Sequence, residues 1–589
     1  MTFEQTILFA LFGAVFALLV WGRWRYDIVA FSALLAGVAL GVVPEDEAFA
    51  GFGHPAVVIV ALVLIVSAGL VRSGAVHLLT RTVTDSARGV QGHIAVMGGI
   101  GAALSGFINN VAALALLMPV DVTTARKAGR PPGRTLMPLS FATILGGMVT
   151  LIGTPPNIII AGIREESLGA PFGMFDFAPV GVATAVAGLA FVALVGWRLI
   201  PARGDVAEHV EKVTEYVAEL TVPDDSEVIG KRVRELYVTA EETDVAIIGL
   251  IRDDKRRYGT SANTKLQAGD ALVLEATPAA LEEFRSALSL GFADKGHEDK
   301  LKAEGSGLTL IEVVVPEGAR IAGKTVHSVG LLWRQHTVLM GISRQGRRIT
   351  EQMRRTKVRP GDILLLLAPK ESATTVVEWL GVLPLADRGL TVTQNTKTWA
   401  AIGLFAAAVA AASVGLVYLP IGLGIVVVGY VLLGILPARE LYDHVEWPVL
   451  VLLGSMIALG GALDAAGGTR LIAENLTSLT AGWPVWAVLA ALMVVTMTLS
   501  DVLNNTATAV VAAPVAIEMA RALGVSPDAF LMAVAVGASC AFLTPIGHKN
   551  NTLILGPGGY RFGDYWQMGL PLEVIVVAVA VPVILLVWV

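Results

Sequence analysis

Phe107-Ile108-Asn109-Asn110-Val111-Ala112-Ala113 and Val502-Leu503-Asn504-Asn505-Thr506-Ala507-Thr508 decide how this chain is read. Each is an Asn pair inside an apolar stretch, followed by a proline at Pro119 or Pro514. A lipid-facing helix has no use for two adjacent amides at its centre, because hydrocarbon satisfies neither. The 93–121 stretch is therefore read as a re-entrant hairpin, with its tip at Asn109-Asn110 and both ends on one side. A second interruption accompanies it. The apolar stretch 136–163 contains Gly153-Thr154-Pro155-Pro156-Asn157, so it reads as a spanning helix broken near its middle.

Around these features the chain divides by charge. Of its 589 residues 54% are hydrophobic and only 16% charged, where a soluble protein carries about a quarter. Mean hydropathy is +0.69. Residues 201–390 hold 26 of the 43 Lys and Arg and 29 of the 49 Asp and Glu, leaving two apolar blocks on either side of a charged insert. The net charge of −6 gives no reason to invoke nucleic acid. A single cysteine, Cys540, excludes an internal disulfide framework and a cysteine-cluster metal site. This is a polytopic membrane protein.

Apolar stretches near 4–20, 28–43, 55–71, 136–163 and 177–197 make five crossings of the first block, besides the hairpin. The first, with no basic region before it and no cleavage pattern after it, is read as a crossing rather than a removed signal peptide. Basic residues fix the orientation, since cytoplasmic loops are enriched in them. With the N-terminus outside, Arg23, Arg25, Arg72, Arg81, Arg88, Arg126, Lys127, Arg130, Arg134, Arg198 and Arg203 all fall inside. Reading the hairpin as a full crossing would move residues 126–135 outside and spoil the pattern.

The second block repeats the first. Pro44 to Pro55 matches Pro437 to Pro448 in spacing; the Asn109-Asn110 tip answers Asn504-Asn505; and Thr150-Leu-Ile-Gly153-Thr154-Pro155 answers Thr544-Pro-Ile-Gly547-His548-Lys549. An odd number of crossings per half places the second half upside down. Two inverted halves with interrupted helices at matching positions are the signature of a secondary transporter. The expected fold is thus an all-α membrane protein of two inverted repeats, each with five crossings, a re-entrant hairpin and a broken helix. Membrane repeat 1 is 1–203 and repeat 2 is 395–589, in the plasma (inner) membrane.

The insert carries its own duplication. Ile229-Gly230-Lys231 precedes Gln267-Ala-Gly269-Asp270, and Ala322-Gly323-Lys324 precedes Arg359-Pro-Gly361-Asp362. Short β-type runs such as Val245–Ile251 and Ile363–Leu367 suggest two small α+β modules, 206–295 and 305–385, on the cytoplasmic side. Neither a dinucleotide fingerprint nor a P-loop is present. Through its Gly-Lys turn and the Gly-Asp before the last strand, each module resembles the TrkA-C (RCK-C) regulatory domain. That resemblance implies either sensing of a small, nucleotide-type ligand or a structural, dimerising role.

At a helix break, carbonyls are freed on one side and amides on the other. The carbonyls suit Na⁺, and the amide end with its partial positive charge suits an anion. An Asn side chain offers an acceptor and two donors, so it can bridge the two. The alternative for the Asn pairs is interhelical packing, and for Ser105 and Ser500 a bond to their own helix backbone. Asp501 reads as a cation ligand or proton carrier, or else as a buried carboxylate held by backbone amides. Lys549 reads as a tethered cation near the anion, or as a side chain snorkelling to the cytoplasmic interface. Asp121, Glu518 and Asp464 lie nearer helix ends and read as interfacial.

These tips and breaks, over roughly 400 residues, resemble the divalent-anion/sodium symporter family of the ion transporter superfamily. Members often carry Ser-Asn-Thr at each tip; here stand Asn109-Asn110-Val111 and Asn504-Asn505-Thr506. The resemblance implies a first Na⁺ site at Ser105, Asn109, Asn110 and Gly153 and a second at Ser500, Asn504, Asn505 and Gly547. It implies an anion held by Asn110, Thr154, Asn505, Thr506 and His548, with Lys549 nearby. Val111 removes an expected hydroxyl, and His548-Lys549 replaces Thr-Pro, which turns the expectation from dicarboxylate toward sulfate. A homodimer in the lipid bilayer is also implied.

The function read from the sequence is Na⁺-coupled import of a small divalent anion, sulfate or a similar oxyanion ahead of a C4 dicarboxylate. H⁺ is the other candidate coupling ion, and no organic cofactor is called for. The runner-up is a Na⁺/H⁺ or weak-acid exchanger using Asp501, and a further alternative is a non-transporting sensor or channel-like protein. No nucleophile–base pair is found at the repeat sites, so an enzyme is not expected.

Overall fold

The computed structural model describes residues 1–21, 24–75, 89–201, 216–243, 245–252, 255–258, 263–276, 278–292, 308–331, 335, 337–344, 347–349, 356–369, 372–385, 397–479, 482–503 and 505–589. They form two compact units. The first comprises Met1–Ala202, Val392–Ile554 and Arg561–Val589, and the second Arg203–Thr391 with Leu555–Tyr560.

The first unit is helical. Its first part runs through α1 (Phe3–Trp21), α2 (Tyr26–Ala39), α3 (Pro55–Arg72), α4 (Val90–Ser105), α5 (Asn110–Lys127), α6 (Gly133–Gly147), α7 (Pro155–Leu168) and α8 (Ala178–Leu194). Its second part holds α9 (Thr398–Ser413), α10 (Leu419–Leu432), α11 (Trp447–Ala465), α12 (Gly468–Leu479), α13 (Val485–Val502), α14 (Asn505–Leu523), α15 (Pro527–Ser539), α16 (Lys549–Leu555) and α17 (Tyr565–Trp588). Among the described residues five helical stretches are long and apolar enough to cross a bilayer: Pro55–Arg72, Trp447–Ala465, Val485–Val502, Asn505–Leu523 and Phe562–Trp588.

The two interruptions follow from local chemistry. Proline at the first turn of α7 lacks only an amide that would be orphaned there anyway, so Pro155-Pro156 starts a helix and cannot continue one. Residues 148–154 are left outside both helices as a connector. Its counterpart, 540–548, separates α15 from α16. Both connectors lie in the interior: Thr150, Leu151, Ile152, Thr154, Cys540, Ala541, Phe542 and His548 are buried. Non-helical backbone at such depth is tolerated only where protein satisfies it.

The second unit contains two five-stranded antiparallel sheets. The first orders its strands β3-β2-β4-β1-β5 and the second β10-β6-β9-β7-β8. Here β1 is Tyr216–Thr221, β2 Ala246–Arg252, β3 Lys255–Tyr258, β4 Ala271–Ala276 and β5 Gly291–Phe292. In the second sheet β6 is Leu308–Val314, β7 Val338–Arg344, β8 Arg347–Ile349, β9 Ile363–Pro369 and β10 Leu383–Pro384. One helix of each module packs on its core, Phe284 of Pro278–Ala287 in the first and Val376 and Leu380 of Ala373–Leu380 in the second.

The duplicated Gly-Lys and Gly-Asp signals do the same job twice. Gly230 and Gly323 take φ of +82° and +76°, and their N–H groups donate to Leu266 and Val358. Gly269 and Gly361 also turn through positive φ, a region that a Cβ disfavours. The Asp that follows each is buried and clasped by an Arg at the end of the neighbouring strand. Arg252 donates to both Asp270 oxygens at 2.7 Å, and Arg344 to those of Asp362 at 2.8 and 2.7 Å. The hydrogen bond to Asp362 raises the Arg344 guanidinium above its ordinary value. Asp362→Ala leaves Arg344 without its bidentate partner and costs the second module about 2–4 kcal/mol. In the full-length protein, hydrogen exchange in β7 and β9 should accelerate while β2 and β4 stay protected; unchanged exchange in β7 would refute the role.

Candidate functional site

The connector between α4 and α5 is Gly106–Asn109, and Asn110 opens α5. Ser105 Oγ donates to Asn110 Oδ1 at 2.6 Å, with both residues buried. Room for that amide comes from Gly147, where a Cβ would sit 2.3 Å from Asn110 Oδ1. Gly153 packs so closely that a Cβ there would meet the Gly147 carbonyl oxygen at 2.4 Å and that of Ser105 at 2.9 Å. Ser105, Asn110 and Gly153 thus come together, with Gly147 as a fourth member. Their hard oxygens (hydroxyl, amide and backbone carbonyl) are the donor type that Na⁺ takes. Asn109 plays a different part: its Oδ1 accepts from the Val111 N–H at 2.8 Å, capping α5.

The 148–154 connector is held by its own Thr150 and by Asn157 of α7. Thr150 Oγ1 donates to the Gly106 carbonyl. Asn157 Nδ2 donates to the carbonyls of Thr150 at 2.9 Å and Met148 at 3.4 Å. This is how the freed carbonyls of a broken helix are satisfied without water.

The same contacts recur 394 or 395 residues further along. Ser500 Oγ donates to Asn505 Oδ1 at 2.9 Å and reaches the Ala538 carbonyl at 2.6 Å. Thr544 Oγ1 donates to the Asp501 carbonyl at 2.7 Å. Asn551 Nδ2 donates to the carbonyls of Ala541 and Thr544 at 2.9 and 3.1 Å. Gly547 lies against Asp501, where a Cβ would stand 2.9 Å from its Cα. Asn504 lies outside the described residues.

The two interrupted regions also touch. Asn110 Nδ2 stands 3.4 Å from His548 Nε2, and Asn550 Nδ2 donates to the Asn110 carbonyl at 3.2 Å and to Thr143 Oγ1 at 2.9 Å. Ser140 donates to Asn551 Oδ1 at 3.0 Å, and Cys540 Sγ lies 3.5 Å from Met148 Sδ. Asn550 Oδ1 is buried with no hydrogen-bond partner. Asn550 and Asn551 escaped the sequence reading because Lys549-Asn550-Asn551 looks like an ordinary polar helix start. The 394-residue spacing of Asn551 from Asn157 would have found the second of them.

The remaining expected site residues are placed as follows. Thr154 and Thr506 are buried beside their respective interruptions. Lys549 forms an ion pair with Glu446. Asp501 is buried, with its Oδ1 accepting from the Leu543 N–H at 2.8 Å. Asp121 is fully buried within the protein, 2.6 Å from His93 Nε2, and it accepts from Thr135 Oγ1 at 2.6 Å. Helices α4, α5 and α6 pack together and close over it. Glu518 pairs with Arg521, and Asp464 with Thr469.

A family model described as "Citrate transporter" matches residues 16–524 and 481–589. An "Uncharacterized transporter sll0640" of Synechocystis sp. is 29% identical over 574 residues, covering 95% of this chain and 94% of that protein. The "Uncharacterized transporter YfbS" of Escherichia coli strain K12 is 28% identical over 603 residues, covering 96% of each. "Sodium/sulfate cotransporter 2" of Chlamydomonas reinhardtii is 25% identical over 367 residues, covering 58% of this chain and 41% of that longer protein.

Proposed function

Because this chain belongs to the citrate transporter family, we propose that it imports a small divalent anion, sulfate or a similar oxyanion, coupled to Na⁺ by alternating access. The observation that carries the reading is the meeting of Asn110 with His548. His548 Nδ1 accepts from the Asn550 N–H at 3.1 Å, so the neutral imidazole carries its proton on Nε2. Asn110 Oδ1 is taken by the Ser105 hydroxyl, which turns its amide nitrogen toward that same Nε2. Two N–H donors facing each other at 3.4 Å make no bond between themselves. Both are free to turn to one anionic oxygen. The oxygen-rich clusters around Gly153 and Gly547 supply adjoining positions for Na⁺, whose charge offsets that of the anion.

Further support comes from the sodium/sulfate cotransporter relative. In this reading Asn505 and Thr506 meet the anion from the second half, and Lys549 keeps a positive charge near it. The two halves are inverted repeats in the inner membrane of a homodimer. The paired sheets of the second unit act as cytoplasmic TrkA-C-like modules that regulate transport through a nucleotide-type ligand.

Uptake of radiolabelled sulfate, with succinate in parallel, into proteoliposomes carrying an inward Na⁺ gradient tests the reading. Sulfate uptake should collapse when choline replaces Na⁺. Uptake of succinate alone would keep the mechanism and overturn the substrate. Uptake of neither, together with Na⁺-driven proton movement that is lost in Asp501→Asn, would replace the reading with a Na⁺/H⁺ exchanger.

A further inference from the structure

The two interrupted regions differ in their carboxyl groups. In the first, Thr150 bonds the carbonyl of Gly106; in the second, Thr544 bonds that of Asp501. Gly181 of α8 presses on the Met148 carbonyl, as Gly569 of α17 presses on that of Phe542. Four residues beyond these glycines stand Ala185 and Glu573. The first half therefore has Gly106 and Ala185 where the second has two carboxyl groups.

Asp501 and Glu573 are 3% and 8% exposed, and their carboxyl groups lie within hydrogen-bonding reach of each other. The connector's Leu543 N–H donates to Asp501 Oδ1 at 2.8 Å, and Glu573 lies beside Phe542 of the same connector. Each keeps one oxygen, Asp501 Oδ2 and Glu573 Oε1, buried and without a hydrogen-bond partner. Neither forms an ion pair with a basic side chain among the described residues; Lys549 is taken up by Glu446. Two buried carboxylates side by side repel each other, and each has given up its hydration. A cation held by the pair offsets both penalties at once.

We propose that Asp501 and Glu573 form a monovalent-cation site of their own, behind the Ser500–Asn505 pair of the second tip. Its identity as a Na⁺ site rests on the coupling reading above. The location fits that role, because Ser500 and Asp501 are adjacent in α13 and the Asp501 carbonyl is bonded to the connector. Cation binding here would brace α13, α17 and the 540–548 connector together, fixing the geometry in which Asn505 is presented.

The test is Na⁺ binding by the purified full-length protein without any anion. It is read as ²²Na⁺ retention and as the Na⁺-dependent rise in Tm, with choline holding ionic strength constant. Glu573→Gln and Asp501→Asn should each raise the half-saturating Na⁺ concentration at least tenfold, with a Tm in choline no lower than wild type. The double variant Asp501→Gly with Glu573→Ala installs the residues of the first half. It should show the same loss, and it serves where a single variant fails to fold. Half-saturation within twofold of wild type in these variants overturns the proposal. So does a wild type whose Na⁺ binding and Tm ignore Na⁺, the result expected if the pair holds only a proton. Absence of sulfate uptake with Na⁺ binding intact and lost in Glu573→Gln would instead overturn the substrate reading and leave this site standing.

Discussion

Asn110→Ala should reduce Na⁺-driven uptake by about 100-fold while the protein still folds. The amide has three engagements: Oδ1 with the Ser105 hydroxyl, Nδ2 facing His548, and a snug fit over Gly147. Truncation leaves the buried Ser105 hydroxyl unpaired and opens a void, a loss of about 2–3 kcal/mol. The same groups would hold both ion and anion, and a loss of that size at the bound state corresponds to roughly 100-fold in affinity. Asn110→Asp separates the two partners. It keeps an oxygen for Na⁺ but turns an anion-facing donor into a negative charge, so anion uptake should vanish while Na⁺-dependent stabilisation survives. Wild-type uptake in either variant would show that Asn110 is packing and nothing more.

Gly153→Ala removes no chemical group, yet it should be at least as damaging. Its Cβ would lie 2.4 Å from the Gly147 carbonyl oxygen and 2.9 Å from that of Ser105. Neither backbone atom can rotate away as a flexible side chain could. The connector must shift, at about 1–3 kcal/mol, and the shift displaces the carbonyls that would face the ion. Gly547→Ala should be milder, since its nearest approaches are 2.9 and 3.0 Å. Gly99→Ala on α4 is the control: its Cβ meets only Leu189 Cδ2 at 3.8 Å. Alanine is the better helix former by about 0.5–1 kcal/mol, so uptake should be retained and Tm unchanged or raised. Sulfate uptake and thermal unfolding of the three variants give the order; equal uptake in Gly153→Ala and Gly99→Ala would disprove the close-packing account.

Much of this was legible without coordinates, for a physical reason. Hydrocarbon makes an Asn pair or a Pro-Pro within an apolar run too costly to be incidental, so Asn110, Asn505, Gly153 and Gly547 stood out by residue type and spacing alone. The charged insert was visible for the same reason, and its Gly-Asp signals mark real turns with positive φ at Gly269 and Gly361. Spacing did not separate the roles of neighbours: Asn109 caps a helix while Asn110 faces the interior. A pattern along the chain records which residues are unusual, whereas the direction of a side chain depends on the turn it occupies.

What required three dimensions was every relation between residues far apart in the chain. Asn110 and His548, and Asn550 and Thr143, approach only because helices from both parts of the chain pack side by side, and Asp501 meets Glu573 only because α13 packs on α17. Asp121 stands near a helix end in the chain, and only packing shows that it is buried against His93. Polarity and periodicity are properties of single segments and can be read from them. Burial, pairing and the convergence of donors on one point belong to the packed arrangement, and they exist only once it has formed.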